Sequence, residues 1–255
     1  MRLSPIFLTT PLAHRGFHDV SQRIPENSAA GIRRAISGGF GAEIDLQLSA
    51  DGVAMVFHDN TLDRMTDAVG PVRDRSCQEL SDLKLNRSDE TIHTFRQILH
   101  LVDGRAPLLV ELKDQSGHLE PGPDDLERAV ASDLEGYRGP VAVMSFNPYV
   151  MQSLRELAPN ITRGIISEAF DADAWPRLSS ARREELRNIS SFDRVAADFI
   201  SHDCRDLANP RVAELKAKGV PILCWTVRSP GVEVEARHVA DNVTFEGYVP
   251  TLDPD

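Results

Sequence analysis

Residues 42–59 read AEIDLQLSADGVAMVFHD and contain two apolar, strand-like runs joined through Asp51-Gly52. Asp-Gly between two such runs is a strong signal for a β-hairpin. We therefore predict that this stretch folds into two antiparallel strands. A two-residue turn at Asp51-Gly52 would place Asp45 opposite His58, and a slip of one or two residues is left open.

Strand-like runs alternate with helix-like stretches along the whole chain, which predicts a parallel sheet. Nine runs are strand candidates, and counting one as the hairpin partner leaves eight. Eight strands in 255 residues are typical of an α/β TIM (β/α)₈ barrel. We predict one domain over 1–255, with a small insertion after the second strand at about 60–92 that lies over the barrel mouth. The strand candidates are Pro11–His14, Ala42–Leu48, Val53–His58, Pro107–Lys113, Val141–Phe146, Arg163–Ile166, Val195–Ile200, Val220–Val227 and Asn242–Phe245.

Several helices carry recognisable signals in their first turn. Asn27 is a candidate N-cap for a helix over Ser28–Ser37, which ends at Gly38-Gly39. Two capping boxes and two first-turn prolines mark further helices. These signals lie at Ser76–Glu79, Thr94–Gln97, Pro148–Leu157 and Pro210–Lys218.

The overall charge and composition exclude some classes of function. The net charge is −11, which disfavours general binding to nucleic acid or anionic membranes. No run approaches the roughly 18 apolar residues of a membrane-spanning helix, and the first residues are too weakly apolar for a signal peptide. Cys77, Cys204 and Cys224 are scattered, which favours reduced thiols. We therefore expect a cytoplasmic protein with no stable membrane insertion.

Acidic residues lie near the ends of two predicted strands. Side chains two residues apart on a strand share a face, so Glu43 and Asp45 project together, as do Glu111 and Lys113. In a TIM barrel the strand ends form the active-site face. Three crowded acids favour a hard divalent cation, Mg²⁺ or Ca²⁺. The alternative is that these acids pair with Arg or Lys on a solvated rim.

Two histidines and two cationic residues belong to the same predicted strand ends. His14 and His58 suit acid–base catalysis near neutral pH. Arg15 and Lys113 suit contacts to phosphate oxygens. With a metal ion, this set favours displacement at an anionic phosphate ester. The alternatives are structural hydrogen bonds for the histidines and neutralisation of neighbouring carboxylates for the cations.

Motifs spread over nearly the whole chain closely resemble those of the glycerophosphodiester phosphodiesterase family. Each motif alone is weak, but the ordered set with its spacings is specific. The matching motifs are Ala13–Gly16, Pro25–Ser28, Glu43–Leu48, Asp51-Gly52, Val56–Arg64, Gly70–Val72, Glu111–Lys113, Ser145-Phe146 and Cys224–Val227.

This resemblance implies a barrel of the phosphatidylinositol phospholipase C-like phosphodiesterase type, with one divalent cation, Mg²⁺ or Ca²⁺. It also implies a role for each matching site residue. The implied roles are Glu43, Asp45 and Glu111 as metal ligands, His14 and His58 as general acid and base, Arg15 and Lys113 as phosphate contacts, Trp225 as a residue near the substrate, and Glu26 and Asn27 as supporting residues.

Some of these assignments have alternatives, and three positions depart from the family pattern, one of them His93 in Ile92-His93-Thr94, where the family usually has Ile-Pro-Thr. Trp225 could equally be a core aromatic of the barrel, and Asn27 could be the helix cap. The family often ends its last strand with Thr-Asp, whereas Glu246 is the candidate acid here. Arg228 replaces the usual Asn after the Trp-Thr-Val motif. These departures leave the substrate's identity open, but not the reaction class.

The expected function is metal-dependent hydrolysis of a glycerophosphodiester to glycerol 3-phosphate and an alcohol. One alternative is a phosphodiesterase or lyase that acts on lysophospholipids or sphingolipids with the same scaffold. Another is a non-catalytic barrel that binds phosphodiesters. The expected partner is a small-molecule phosphodiester and not a nucleic acid, and the sequence makes no prediction of the oligomeric state.

Overall fold

The structure is a computed structural model that describes residues 3–252. Nine strands occur within these residues: β1 (Leu12–Ala13), β2 (Gly41–Leu48), β3 (Ala54–Val56), β4 (Leu108–Leu112), β5 (Val141–Ser145), β6 (Arg163–Ser167), β7 (Phe199–Asp203), β8 (Ile222–Val227) and β9 (Asn242–Phe245). They form one sheet in the order β1-β9-β8-β7-β6-β5-β4-β2-β3, and pairing of β1 with β2 closes eight parallel strands into a barrel. Among these nine strands, β3 alone joins the sheet antiparallel, by pairing with β2. The predicted (β/α)₈ barrel is therefore confirmed.

Helices separate the barrel strands, and their first residues follow the predicted signals. Ser76 and Thr94 both form complete capping boxes. Asn147 and Asn209 cap the two predicted helices that begin with proline, and Ser229 caps a third. The helices in the described residues are α1 (Ile6–Thr9), α2 (Ala29–Ser37), α3 (Cys77–Asp82), α4 (Phe95–Val102), α5 (Asp125–Leu134), α6 (Pro148–Leu157), α7 (Ser180–Arg187), α8 (Pro210–Ala217) and α9 (Pro230–Ala236).

The N-cap of α2 differs from the predicted one. The hydroxyl oxygen Oγ of Ser28 accepts a hydrogen bond from the backbone N–H of Gly31 at 3.1 Å, so Ser28 is the cap. Asn27 has a left-handed backbone with φ of 55°, and its side chain bonds to Asp45 instead. The predicted capping role of Asn27 is therefore wrong, because its amide is used inside the barrel.

The β2–β3 hairpin forms with a register one residue from the expected one. Its loop has three residues, Ala50–Gly52, and Ser49 N–H donates to the Val53 carbonyl at 3.0 Å. Gly52, at φ of 79°, adopts the left-handed conformation that such loops require. Asp45 consequently lies opposite Phe57, whose N–H donates to the Asp45 carbonyl at 3.0 Å, and not opposite His58.

Strand β7 lies further along the chain than predicted. The apolar run Val195–Ile200 suggested a strand, but the chain turns at Ala196, where φ is 50°. Val195 is fully buried in that turn, in the core between barrel and helices. Burial rather than strand structure explains its apolar character, and the true strand extends through Asp203.

The inward side of the barrel is apolar at its base and polar toward the strand ends. Helix α1 packs Phe7 into the apolar cluster at the base. Gly164 leaves room for Phe199 there, since a Cβ on Gly164 would lie 2.4 Å from the phenylalanine ring. Glu111 follows Leu109 by two residues on β4 and therefore lies on the same inward face, nearer the strand end. The apolar cluster is formed by Leu3, Phe7, Leu12, Leu109, Ala142, Met144, Ile166, Phe199 and Leu223.

The stretch after β3 has an apolar cluster of its own. It contains a short 3₁₀ helix, Val72–Asp74, and helix α3. Its position over the barrel mouth and the single-domain extent of 1–255 stay predictions. The buried members of its cluster are Met55, Phe57, Leu62, Val72, Leu80, Leu85 and Ile92.

Candidate active site

Three carboxylates from two neighbouring strands meet inside the barrel. Glu43 and Asp45 project from β2, and Glu111 projects from β4, where it pairs in register with Asp45. One oxygen from each lies within 4.8 Å of the other two. Their exposed fractions are 2% for Glu43, 1% for Asp45 and 8% for Glu111. The strand alternation read from the sequence therefore does bring these side chains together.

Burial and mutual repulsion disturb the ionisation of this cluster. Burial first, and then the charges of Asp45 and Glu111, raise the pKa of Glu43 well above its usual value. Burial also raises the pKa of Glu111 to about 7, although Lys113 opposes the shift. Burial alone would raise the pKa of Asp45, but the nearby positive charges of Lys113, His58 and Arg15 bring it below its usual value. The nearby positive charge is therefore enough to keep Asp45 ionised, but not enough to offset the burial of Glu43 and Glu111.

Lys113 supplies part of that charge. Its ammonium Nζ lies 2.7 Å from Asp45 Oδ1 and 2.8 Å from Glu111 Oε1. Burial would lower the pKa of Lys113, but these two carboxylates hold it above its usual value. This pairing corresponds to the neutralising role that the sequence left open beside a phosphate contact.

The loop after β1 fixes two of the three carboxylates from the other side. Asn27 donates from Nδ2 to Asp45 Oδ2 at 2.8 Å, and its Oδ1 accepts from the Asp45 backbone N–H at 3.1 Å. The backbone N–H of Arg15 donates to Glu43 Oε2 at 2.9 Å. Gly16 permits the tight turn at φ of 75°, because a Cβ there would lie 3.1 Å from the Gly31 carbonyl carbon. The two acids are thus oriented by hydrogen bonds.

His58 ends a chain of ion pairs that runs along the rim of the site. Its Nδ1 lies 2.6 Å from Asp59 Oδ1, and Asp59 Oδ2 accepts from Arg64 Nε at 2.6 Å. Arg64 also donates to Glu26 Oε1 at 2.6 Å, and Glu26 accepts from Arg15 at 2.9 Å. We call these five residues the rim network. It links His58 to the loop after β1.

His14 is held by a different carboxylate. Its Nδ1 lies 2.6 Å from Glu246 Oε2, an oxygen that also accepts from Arg228 at 3.0 Å. The hydrogen bond from His14 lowers the pKa of Glu246 to about 2. Burial lowers the pKa of His58. Each histidine thus has a carboxylate at Nδ1, which leaves Nε2 as the atom available for proton transfer.

The two histidines and the three carboxylates line one cavity of about 500 Å³. Arg15, Lys113 and Trp225 line it as well. Trp225 is half-buried, with its indole N–H donating to the Ser201 carbonyl at 3.1 Å. The described structure therefore places these residues around a single space. Glu26 and Asn27 do not line it, and they contact its residues from behind.

Asp203 is a cavity residue that the sequence reasoning missed. It is 4% exposed, lies at the end of β7 and pairs with Arg205 at 2.5 Å. The predicted strand ended at Ile200, so Asp203 lay outside it. The alternation of buried Phe199 and Ser201 with Asp203 on the same face was the available signal. Arg64 was also missed as a link between Glu26 and Asp59.

A comparison with protein families decides the assignment. Residues 14–247 match the glycerophosphoryl diester phosphodiesterase family. The chain belongs to this family. It is therefore a phosphoric diester hydrolase by family, as the sequence resemblance implied.

Individual relatives agree with the family match. A glycerophosphodiester phosphodiesterase of Caldanaerobacter subterraneus is 29% identical over 86% of each chain. Glycerophosphodiester phosphodiesterase 1 of Bos taurus is 28% identical over 89% of this chain and 74% of its own. A solved Oleispira antarctica phosphodiesterase, in complex with the product sn-glycerol 3-phosphate, is similar at a TM-score of 0.76 and 25% identity. That comparison covers 94% of this chain and 93% of the other.

Proposed function

We propose that this protein hydrolyses glycerophosphodiesters to glycerol 3-phosphate and an alcohol, with one divalent cation, Mg²⁺ or Ca²⁺, and two histidines as acid and base. The observation that carries the proposal is the geometry of the cavity. His14 and His58, each paired with its own carboxylate, share it with the cluster Glu43, Asp45 and Glu111. The glycerol 3-phosphate bound to the Oleispira antarctica relative supports the product.

The donor set fits a hard divalent cation. Three buried carboxylates offer oxygen ligands within 4.8 Å of one another, and Mg²⁺ and Ca²⁺ prefer such ligands. The raised pKa values of Glu43 and Glu111 indicate that Lys113 alone does not balance the cluster. A bound cation would supply Lewis acidity toward a phosphoryl oxygen. Glu43, Asp45 and Glu111 would hold it, with Asn27 orienting Asp45.

The histidines move the protons. Each Nδ1 is engaged by a carboxylate, so one Nε2 removes the proton of the attacking hydroxyl and the other protonates the leaving alkoxide. The attacking group is either water or a hydroxyl of the substrate's glycerol; in the second case the alcohol leaves, a cyclic phosphate forms, and water then opens it to glycerol 3-phosphate. Arg15 lines the cavity beside the carboxylates and is therefore the candidate phosphate contact; its Nε lies 3.6 Å from Asp45 Oδ2, and it also donates to Glu26.

The first experiment measures release of glycerol 3-phosphate from glycerophosphocholine, in EDTA and then with Mg²⁺ or Ca²⁺ restored. We expect release only with the cation, and a large loss in Glu43→Gln. Glu184→Gln, at an exposed position on α7, is the matched control and should keep the activity. Equal release in EDTA would contradict the metal, and no release with either cation would contradict the substrate.

The location in the cell stays a prediction. Within residues 3–252, no helix has the length and apolar character needed to cross a bilayer. We propose a cytoplasmic protein on the sequence reasoning alone, and fractionation of cells that express it from its own gene would test this.

A further inference from the structure

A second cavity adjoins the active-site cavity. It has a volume of about 600 Å³ and lies beside the loops that follow β4 and β6. The two cavities share four lining residues, which are His58, Glu111, Lys113 and Phe146. We call the second cavity the side groove. A substrate held at the carboxylates can therefore extend into the side groove without leaving the protein surface.

An aromatic wall runs from the active site into the side groove. Phe146 stands between Trp225, at 5.5 Å between ring centroids, and Trp175, at 5.7 Å. Trp175 in turn contacts Phe170 at 5.3 Å. Behind these rings lies an apolar cluster that includes Leu119 and Leu178, both of which line the groove. The wall is thus continuous, and it is backed by buried side chains.

The wall is held in place before any ligand binds. Arg182 of α7 donates a hydrogen bond to the Leu119 carbonyl and so ties the loop after β4 to that helix. Asn147 donates to Asp114 at 2.8 Å and to the Glu120 carbonyl at 2.9 Å within the same loop. A preformed apolar pocket loses little conformational entropy on binding, which favours affinity.

The charges of the side groove do not suit a cationic head group. The acids that line it are Asp59, Asp114 and Glu111. Asp59 is paired with Arg64 and His58, and Asp114 with Asn147 and the Leu119 N–H. Glu111 belongs to the carboxylate cluster. The groove is also lined by polar or cationic residues, which are His58, Asn60, Lys113, His118 and Arg177. Among the described residues it thus offers aromatic and aliphatic surface to a chain, but no unpaired acid to a cationic head group.

We propose that the side groove binds an alkyl or acyl chain carried by the glycerol of the diester, so that the substrate is of the lysophospholipid class and water cleaves it to the chain-bearing glycerol 3-phosphate and the head-group alcohol. Trp175 is the residue that determines this specificity. The inference rests on the proposed reaction, since the chain enters from a phosphate held at the carboxylates. The groove and the active site together provide more room than a glycerophosphate with a small head group needs.

The kinetic test compares glycerophosphocholine with lysophosphatidylcholines of increasing chain length, each below the concentration at which it forms micelles. We expect kcat/KM to rise by up to about fourfold per buried methylene until the groove is filled. Trp175→Ala should flatten this dependence. Ala174→Glu, at an exposed position on the groove rim, should do the same without disturbing the core. Val20→Glu, outside both cavities, is the matched control and should keep the dependence.

A binding test separates the groove from the reaction. The chain has two tryptophans, and both belong to the aromatic wall, so their fluorescence reports on this surface alone. In Trp225→Phe the signal comes only from Trp175. We expect hexyl to decyl phosphates, titrated in EDTA, to change this signal with affinity that increases with chain length, and Ala174→Glu to weaken the effect.

The outcomes distinguish the two proposals. Turnover of glycerophosphocholine without any chain-length effect in rate or fluorescence would overturn the side-groove proposal and leave the reaction intact. Chain-dependent binding without hydrolysis of any diester would overturn the reaction and support the groove. A chain-length effect that Trp175→Ala and Ala174→Glu leave unchanged would also overturn the assignment to this groove.

Discussion

Replacing Glu111 by Gln is expected to stabilise the metal-free protein at pH 8. The pKa of Glu111 rises from 4.5 to about 7 on folding, mainly because the carboxyl is buried. The folded protein therefore binds this proton more tightly than the unfolded chain does. The stabilisation that comes from binding this proton is fully present below pH 4.5 and is lost as the pH rises through about 7. The ionised group then costs about 3 kcal/mol, and a neutral glutamine avoids that cost.

The assay is urea unfolding in EDTA at a series of pH values. We expect Glu111→Gln to exceed the wild type in free energy of unfolding by about 3 kcal/mol at pH 8 and to match it near pH 4.5. The exposed control Glu184→Gln should follow the wild type throughout. With saturating Mg²⁺ or Ca²⁺ the order should reverse, because the variant has lost a ligand. A variant that is less stable than the wild type at pH 8 in EDTA would refute the reasoning.

Three other substitutions test separate parts of the structure. Asn27→Ala should weaken divalent-cation binding about 10- to 100-fold in calorimetric titrations, because Asp45 loses two hydrogen bonds to the Asn27 amide, one at its carboxylate and one at its backbone N–H; unchanged affinity would argue against that support. His14→Ala and His58→Ala should each lower kcat on glycerophosphocholine about 100-fold or more, and a nitrophenyl leaving group should rescue only the variant that lacks the acid. Rescue of both or of neither would contradict the division of roles. Gly164→Ala should destabilise the fold by about 1–3 kcal/mol in urea, since its Cβ would lie 2.4 Å from a buried ring; an unchanged midpoint would count against that packing.

The barrel could be predicted from the sequence because alternation and turn signals are local. The eight parallel strands and the extra hairpin strand all exist, and most of their bounds lie within about two residues of the predicted ones. The exception is β7, where Val195 is buried in a turn and resembles a strand residue by composition alone. The predicted register of the β2–β3 hairpin was wrong for another reason. Ser49 and Val53 pair across a three-residue loop. The residues of the loop alone do not show whether two or three of them lie outside the strand pairing.

The sequence predicted the parts of the site whose side chains lie on the same strand or on neighbouring strands. Glu43, Asp45 and Glu111 follow directly from alternation on β2 and β4. Partners from distant parts of the chain did not follow. The hydrogen bond between His14 and Glu246 joins residues 232 positions apart, so no local pattern could show it. Lys113 had two open interpretations, and only its distances to Asp45 and Glu111 show the ion pairs.

The rim network has a consequence for protein engineering. The loops of a TIM barrel can vary while the barrel stays the same, because each loop is attached to its own strand end. Here Arg64, from the stretch after β3, holds both Glu26 and Asp59. A chimera that received a foreign segment after Asp59 would leave Glu26 and Asp59 without their shared cation, and the carboxylate partner of His58 would no longer be anchored. The loop after β1 and the stretch after β3 therefore depend on each other and would have to be transferred together.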